Sequence, residues 1–221
     1  MPRTARASAG GICYHAINRG NGGAQVFQDD RDYHTFVDLL EQANDHTPMR
    51  LVGFCLMPNH IHLVLWPRHD GDLSRYMQWL LTSHVRRHHR RYGTSGHVWQ
   101  GRFKAFPIQA DDHLLTVLRY VERNPFRANL VPQAQEWTWS SLSMRRAGQA
   151  AFLNDGPVDR PRNWLRCVNQ PETDDELTAL RHSIHRGTPF GRRTWVARIA
   201  KRLGLESTLN PRGRPRSEQK K

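Results

Sequence analysis

Two histidines, His60 and His62, open an apolar run that continues Leu63-Val64-Leu65-Trp66. Side chains of a strand alternate between faces, so both imidazoles lie on one side and Ile61 on the other. Two imidazoles so placed can chelate one metal ion; otherwise they are two polar residues on the solvated face of a half-buried strand. A second group of reactive side chains follows in the stretch Asp112 to Asn124. Leu114, Val117, Leu118 and Val121 recur there at three- and four-residue spacing, the stripe of a helix packed on a core. Tyr120 and Asn124 are four apart and stack on another side of that helix, with His113, Thr116 and Arg127 near them. Taken alone, Tyr120 is a boundary tyrosine and Asn124 a helix-end residue before Pro125. Taken with the histidines, the set has a chemical use. A tyrosine phenolate can attack a phosphodiester and hold one strand end covalently. Its unperturbed pKa is near ~10, so such a site must help it ionise or accept its proton. A divalent ion on His60 and His62 would polarise the phosphate and neutralise developing charge. The Asn124 carbonyl is a candidate third ligand. Imidazole with oxygen ligands suits Mn²⁺ better than Mg²⁺ on softness alone.

The elements that must position these groups can be read from the pattern. Gly11 to Asn18 reads as a first strand, broken by Arg19-Gly-Asn-Gly-Gly23, whose glycines let a ligand approach the backbone. A helix follows over 30–44, capped by Asp29 or Asp30, with Phe36, Leu39, Leu40 and Ala43 as its apolar stripe. Two strands, 51–57 and 60–66, meet at the turn dipeptide Pro58-Asn59. A second helix covers 71–92 and ends in Arg86-Arg-His-His-Arg-Arg91. That run is either a solvated helix end or, beside a nucleic-acid site, a phosphate-facing one. Residues 98–108 read as a fourth strand with a glycine break, on which Arg102 and Lys104 share one face and Trp99 and Phe103 the other. The helix 111–124 follows it. The order βαββαβ plus a helix predicts an α+β, ferredoxin-like antiparallel sheet with helices on one face. The composition shifts after about 145. Residues 155–161 read as a linker or surface loop, 174–186 and 192–203 as two short helices, and the end from Asn210 as a basic tail without fixed structure alone.

The 221 residues suffice for one sizeable core with an appendage. Lys and Arg number 33 against 20 Asp and Glu, a net charge of +13, which points to a polyanionic partner and to nucleic acid first. No long apolar helix or signal-peptide pattern argues for a membrane. Cys13, Cys55 and Cys167 are dispersed, give no disulfide framework or metal spacing, and fit a reducing cytoplasm. Cys13 and Cys55 lie in apolar runs and read as buried spacers.

Several segments together resemble a known family. Met57-Pro-Asn-His-Ile-His-Leu-Val-Leu65 resembles the His-hydrophobe-His signature of single-tyrosine HUH transposases. Val98 to Lys104, and Leu118 to Val131 with its Tyr120-x-x-x-Asn124, resemble the REP-associated tyrosine transposases, relatives of the insertion-sequence enzymes that act on repetitive extragenic palindromes in bacteria. Tyr14 to Asn21, Gly187-Thr-Pro-Phe-Gly191 and Gly213-Arg-Pro-Arg216 are similar to further segments of that group, so the likeness runs from about 11 to 216. It implies a catalytic domain over 11–145, a helical extension over 146–209 and a flexible basic tail over 210–221. It implies Tyr120 as nucleophile, with His60, His62 and Asn124 holding a divalent metal, Mg²⁺ or Mn²⁺. The substrate so implied is single-stranded DNA cut beside a REP-like hairpin, through a 5′-phosphotyrosine and a free 3′-hydroxyl. It further implies a monomer more readily than a helix-swapped dimer, working in the cytoplasm at the nucleoid. His113 is a candidate general base by position only.

Residue types suggest the DNA contacts. Asn18, Arg19 and Asn21 would read exposed bases from the glycine loop, and Arg102, Lys104 and Arg127 would meet phosphates. Trp99 and Phe103 either stack on bases or pack in the core. Arg212, Arg214 and Arg216 form either an extended minor-groove arm or a solubilising tail. Two other readings stay open at this point: a domesticated protein that holds hairpin DNA without moving it, and a metal-dependent nucleic-acid hydrolase that uses water as nucleophile.

Overall fold

The computed structural model describes residues 8–210. Its centre is an antiparallel sheet of β1 (Cys13–Arg19), β2 (Met49–Met57), β3 (His60–Pro67) and β4 (Lys104–Ile108), in the spatial order β2-β3-β1-β4. Period-two alternation divides the strand residues between two cores. Tyr14, Ala16, Phe54, Leu56, Ile61, Leu63 and Leu65 face α1 (Asp30–His46) and α2 (Asp72–Tyr92). Cys13, Cys55, Val64, Phe106 and Ile108 face the opposite way, toward α3 (Asp112–Arg127). The ferredoxin-like order and its two helices on one face are as expected, and α3 covers the second face. Cys13 and Cys55 are buried free thiols, as their apolar neighbours suggested.

α3 lies close on the sheet because Gly53 leaves room for it. A Cβ on Gly53 would come within 2.6 Å of Leu118 Cδ2. A β-bulge between Leu51 and Gly53 shifts the register there, so that Leu51 and Phe54 face one core while Val52 and Cys55 face the other. Leu114, Val117, Leu118 and Val121 are fully buried, the stripe that the spacing predicted. Gly53→Ala should therefore destabilise the protein by roughly 1–3 kcal/mol through overpacking. A urea titration followed by circular dichroism measures this, and an unchanged midpoint would refute the close packing.

Two expectations need correcting. The fourth strand begins at Lys104 rather than at 98. Gly101 has a φ of +157°, and residues 98–100 instead lie against the glycine loop, through Asn21 N–H to Val98 O (2.9 Å) and Gln100 N–H to Arg19 O (2.8 Å). The helix α3 does not stop at Asn124 but runs through Pro125 to Arg127. The proline falls in the last turn, where its missing N–H leaves only one ladder bond unmade, and Ala128 N–H still reaches Asn124 O at 2.9 Å. The stretch 155–161 is the surface loop of the two alternatives, and it is tied to the sheet. Arg160 Nη2 donates to Val52 O (2.8 Å), and Asn154 N–H to Leu51 O (2.8 Å) just before it.

The chain after α3 wraps the sheet. Its helices are α4 (Ser141–Arg146), α5 (Trp164–Asn169), α6 (Asp174–Arg186) and α7 (Arg193–Leu203). Glu122, with no exposed surface, pins this layer to α3: its carboxylate accepts from Ser141 Oγ (2.7 Å) and Trp164 Nε1 (2.8 Å). Leu153 and Ser140 bridge to β2 at Leu51 and Cys55, and Phe190 bridges to β4 at Ile108. No helix among the described residues is long and apolar enough to cross a membrane.

Candidate functional site

The sheet face under α3 carries an ordered set of polar side chains. β3 and β1 pair His60 with Arg19, His62 with Ile17, and Val64 with His15, and β4 sets Lys104 beside Ile17. By strand parity His15, Arg19, His60, His62 and Lys104 all project from this one face. α3 crosses above it and presents Tyr120, Asn124 and Arg127 from successive turns. The outcome is a cluster centred on His62. Its Nε2 is 2.6 Å from Asn124 Nδ2, and its Nδ1 is 2.9 Å from His15 Nε2. The Tyr120 ring stands at right angles to His62, with centroids 5.9 Å apart, and the Arg127 guanidinium lies 4.0 Å over the Tyr120 ring. His60 is perpendicular to His62 at 4.8 Å, and its Nδ1 lies 2.7 Å from Asn59 Oδ1.

The electrostatics of the cluster favour neutral imidazoles. Burial, with Arg19 and Arg127 nearby, pushes the His60 pKa down to about 4. Burial first, then His60, His15 and Arg127, holds His62 well below the ordinary range. Neutral imidazole is the form that offers a lone pair to a metal. Among the described residues no three His, Cys, Asp or Glu side chains gather to hold an ion. A centre here would therefore use the two histidines and the Asn124 amide, with the remaining positions open to phosphate oxygens and water. The donor set fits such an ion, since a buried amide meets His62 at bonding distance on the side shared with Tyr120. Which amide atom faces the imidazole is a matter of assignment, and a turn of the Asn124 side chain brings its oxygen there.

Of the remaining candidates, Arg19 and Lys104 are exposed on the face of the histidines. Asn21 is exposed in the glycine loop, where Gly20 is tied back by its N–H to Asn59 O at 2.8 Å. A Cβ on Gly20 would come within 2.1 Å of Ala24 O, so the turn requires a glycine. Asn18 differs from expectation: it is only 5% exposed, belongs to the other sheet face by parity, and lines a groove of about 950 Å³ against α2. Arg102 borders the same groove from the loop before β4. Trp99 and Phe103 are buried in the α1–α2 core. Arg91 is engaged with Asp29 and Asp32, and Arg87 with Gln42, which leaves Arg86 and Arg90 as exposed arginines of the basic run without a side-chain partner among the described residues. His113 contacts Asp111 Oδ1 (2.7 Å) and the Phe190 ring. Arg212, Arg214 and Arg216 lie outside the described residues. Sequence reasoning passed over His15, although its position two residues before Ile17 already gave it the parity of this face.

Comparison with known proteins is consistent with this geometry. The profile of the family described as "Transposase IS200 like" matches residues 8–124, from before β1 to Asn124. A Haemophilus influenzae protein, provisionally named a REP-associated tyrosine transposase, is 30% identical over 118 residues. That match covers 48% of this chain and 66% of the relative, slightly less than two thirds of its length. A solved structure described as a REP-associated tyrosine transposase bound to a REP hairpin superposes with a TM-score of 0.55. It covers 79% of this chain and 100% of its own at 19% identity, a likeness of fold.

Proposed function

The chain belongs to the IS200-like transposase family, and on that premise we propose that it cuts and rejoins single-stranded DNA beside a REP-like hairpin, with Tyr120 as nucleophile. The observation that carries this reading is the convergence of His60, His62, Tyr120 and Asn124, from two elements far apart in sequence, on one buried cluster. His60, His62 and the Asn124 oxygen would hold a divalent ion, Mn²⁺ or Mg²⁺. When bound, that ion supplies Lewis acidity at the scissile phosphate.

The chain's own residues do the rest. α3 holds the Tyr120 ring rigidly between His62 and Arg127, which limits the directions from which its oxygen can meet phosphorus. The Tyr120 oxygen gives up its proton to solvent and forms a bond to phosphorus, the P–O3′ bond breaks, and the leaving oxygen takes a proton from solvent to become a free 3′-hydroxyl while the 5′-phosphate stays on the tyrosine. Rejoining is the reverse, with a 3′-hydroxyl displacing Tyr120. The Arg127 guanidinium lies over the ring, and Arg19 and Lys104 on the same face as the histidines meet the phosphates on either side. The unit that performs this is residues 11–145, supported by the helical extension 146–209 and the basic tail 210–221. It works as a monomer in the cytoplasm, at the nucleoid. Incubating the protein with hairpin-bearing single strands and Mn²⁺ should yield a covalent protein–DNA adduct. Turnover without an adduct would favour a water nucleophile, and binding without cleavage would favour a protein that only holds hairpins.

With a net charge of +13, affinity for these strands should fall steeply with salt. Each phosphate contact on a single strand contributes a slope of roughly 0.7 in log affinity against log salt, so losing Arg212, Arg214 and Arg216 together with Lys220 and Lys221 should flatten it by about 2 to 3.5. Removal of residues 210–221 tests this by fluorescence anisotropy at several salt concentrations. An unchanged slope would show that Arg212, Arg214 and Arg216 do not meet DNA.

A further inference from the structure

We propose that His15 is a positioning residue that orients His62 and sets which of its nitrogens is free for a metal; this rests on the reading of His60, His62 and Asn124 as a metal centre. His15 is completely buried on β1, directly across from Val64, and its Nε2 meets His62 Nδ1 at 2.9 Å. The two rings stack with centroids 5.0 Å apart, and Phe106 and Tyr120 close on His15 edge-on. His62 thus has one partner at each nitrogen, His15 behind and Asn124 in front. A metal on Nε2 needs that nitrogen bare, so the hydrogen of the neutral His62 ring must then sit on Nδ1, the nitrogen that faces His15. That hydrogen is donated to His15 Nε2, and His15 then carries its own hydrogen on Nδ1.

The His15 Nδ1 atom is buried and has no hydrogen-bond partner among the described residues. A buried donor without an acceptor is costly and calls for a reason. The reason offered by the geometry is His62. A metal-binding histidine needs one nitrogen bare and the other tied, and an acceptor behind Nδ1 fixes both the tautomer and the ring orientation. An apolar residue at 15 would pack well against Phe106 and Val64, but it would leave His62 free to carry its hydrogen on Nε2, where a metal must bind.

The test uses the full-length protein and the variants H15F, which cannot accept a hydrogen bond, and H15Q, whose amide oxygen can. Folding is checked by circular dichroism, Mn²⁺ binding by isothermal titration, and the His62 tautomer by ¹⁵N NMR of the metal-free protein. H15F should weaken Mn²⁺ binding by about 10- to 100-fold and move the His62 hydrogen to Nε2, while H15Q restores both. A purely structural role would alter thermal stability in both variants and leave the tautomer alone, which would overturn the proposal. So would H15F binding Mn²⁺ within threefold of wild type. If H15F fails to fold, H15Q and the wild-type tautomer decide: a wild-type His62 with its hydrogen on Nε2 overturns the assignment. Wild-type protein that binds no more Mn²⁺ than H62A would instead refute the metal centre itself, and this proposal with it.

Discussion

Tyr120→Phe should abolish the covalent adduct while leaving fold and hairpin affinity nearly unchanged. The substitution removes one oxygen and keeps the ring that fits between His62, His15 and Arg127. The Tyr120 hydroxyl has no hydrogen-bond partner in the protein among the described residues, so its loss leaves no buried group unpaired. Stability should therefore change by less than about 1 kcal/mol. Cleavage should fall by a factor on the order of 10³ or more, because deleting a nucleophile removes the reaction path rather than weakening one contact in it. The measurement is single-turnover cleavage of a hairpin-bearing strand with denaturing gel analysis, beside a gel shift for binding. Digestion of the trapped wild-type adduct should give one peptide containing Tyr120 joined to a 5′-phosphate. Adduct on Tyr14, Tyr33, Tyr76 or Tyr92 would sink the mechanism. Tyr76 is an unsuitable nucleophile in any case, since its hydroxyl is buried and donates to Leu40 O.

The second large effect concerns the histidines, and the two should behave differently. His60→Ala removes a ring whose hydrogen-bond contact is Asn59, at the edge of the cluster. It should lose roughly 10²–10³-fold in metal-dependent cleavage, the range seen when one preorganised charge-stabilising group is deleted, at little cost in stability. His62→Ala should lose at least as much cleavage and also about 1–3 kcal/mol of stability, because His15 and Asn124 are both left without their partner. Cleavage assays with added Mn²⁺, Mn²⁺ titration calorimetry and thermal melts separate the two contributions. Full cleavage by His60→Ala would remove it from the metal centre. A chelator should silence the wild type in the same assay, and retained activity there would argue against any metal.

The parts of this site that were legible in the sequence are those governed by local periodicity. The parity of His60 and His62 and the four-residue step from Tyr120 to Asn124 follow from strand and helix geometry alone. What was not legible depended on contacts between distant segments. His15 acquires its role only when β1 pairs with β3 and brings it behind His62. Glu122 carried no signal in the sequence; its burial depends on Ser141 and Trp164, which arrive from later in the chain to satisfy its carboxylate. Asn18 was grouped with the glycine loop because of proximity in sequence. Its parity with Tyr14 and Ala16 already assigned it to the other face. Pro125 suggested a helix end by a rule that holds for helix interiors and weakens in the last turn.

The contacts that the later half of the chain makes with the sheet bear on its solution behaviour. β2 and β4 are the outer strands, and an outer strand with unpaired N–H and C=O groups is a template for joining another chain. Here β2 is met by Ser140 and Leu153 and β4 by Phe190, each with backbone bonds: Leu56 N–H to Trp139 O, Asn154 N–H to Leu51 O, and Phe190 N–H to Pro107 O. Both margins of the sheet are thereby occupied by the chain itself. The segment from Trp139 onward thus acts as an internal guard against edge-to-edge aggregation. A version of the protein cut back to its first 145 residues would keep Tyr120 and both histidines while baring β4 and the Leu51 end of β2 to self-association.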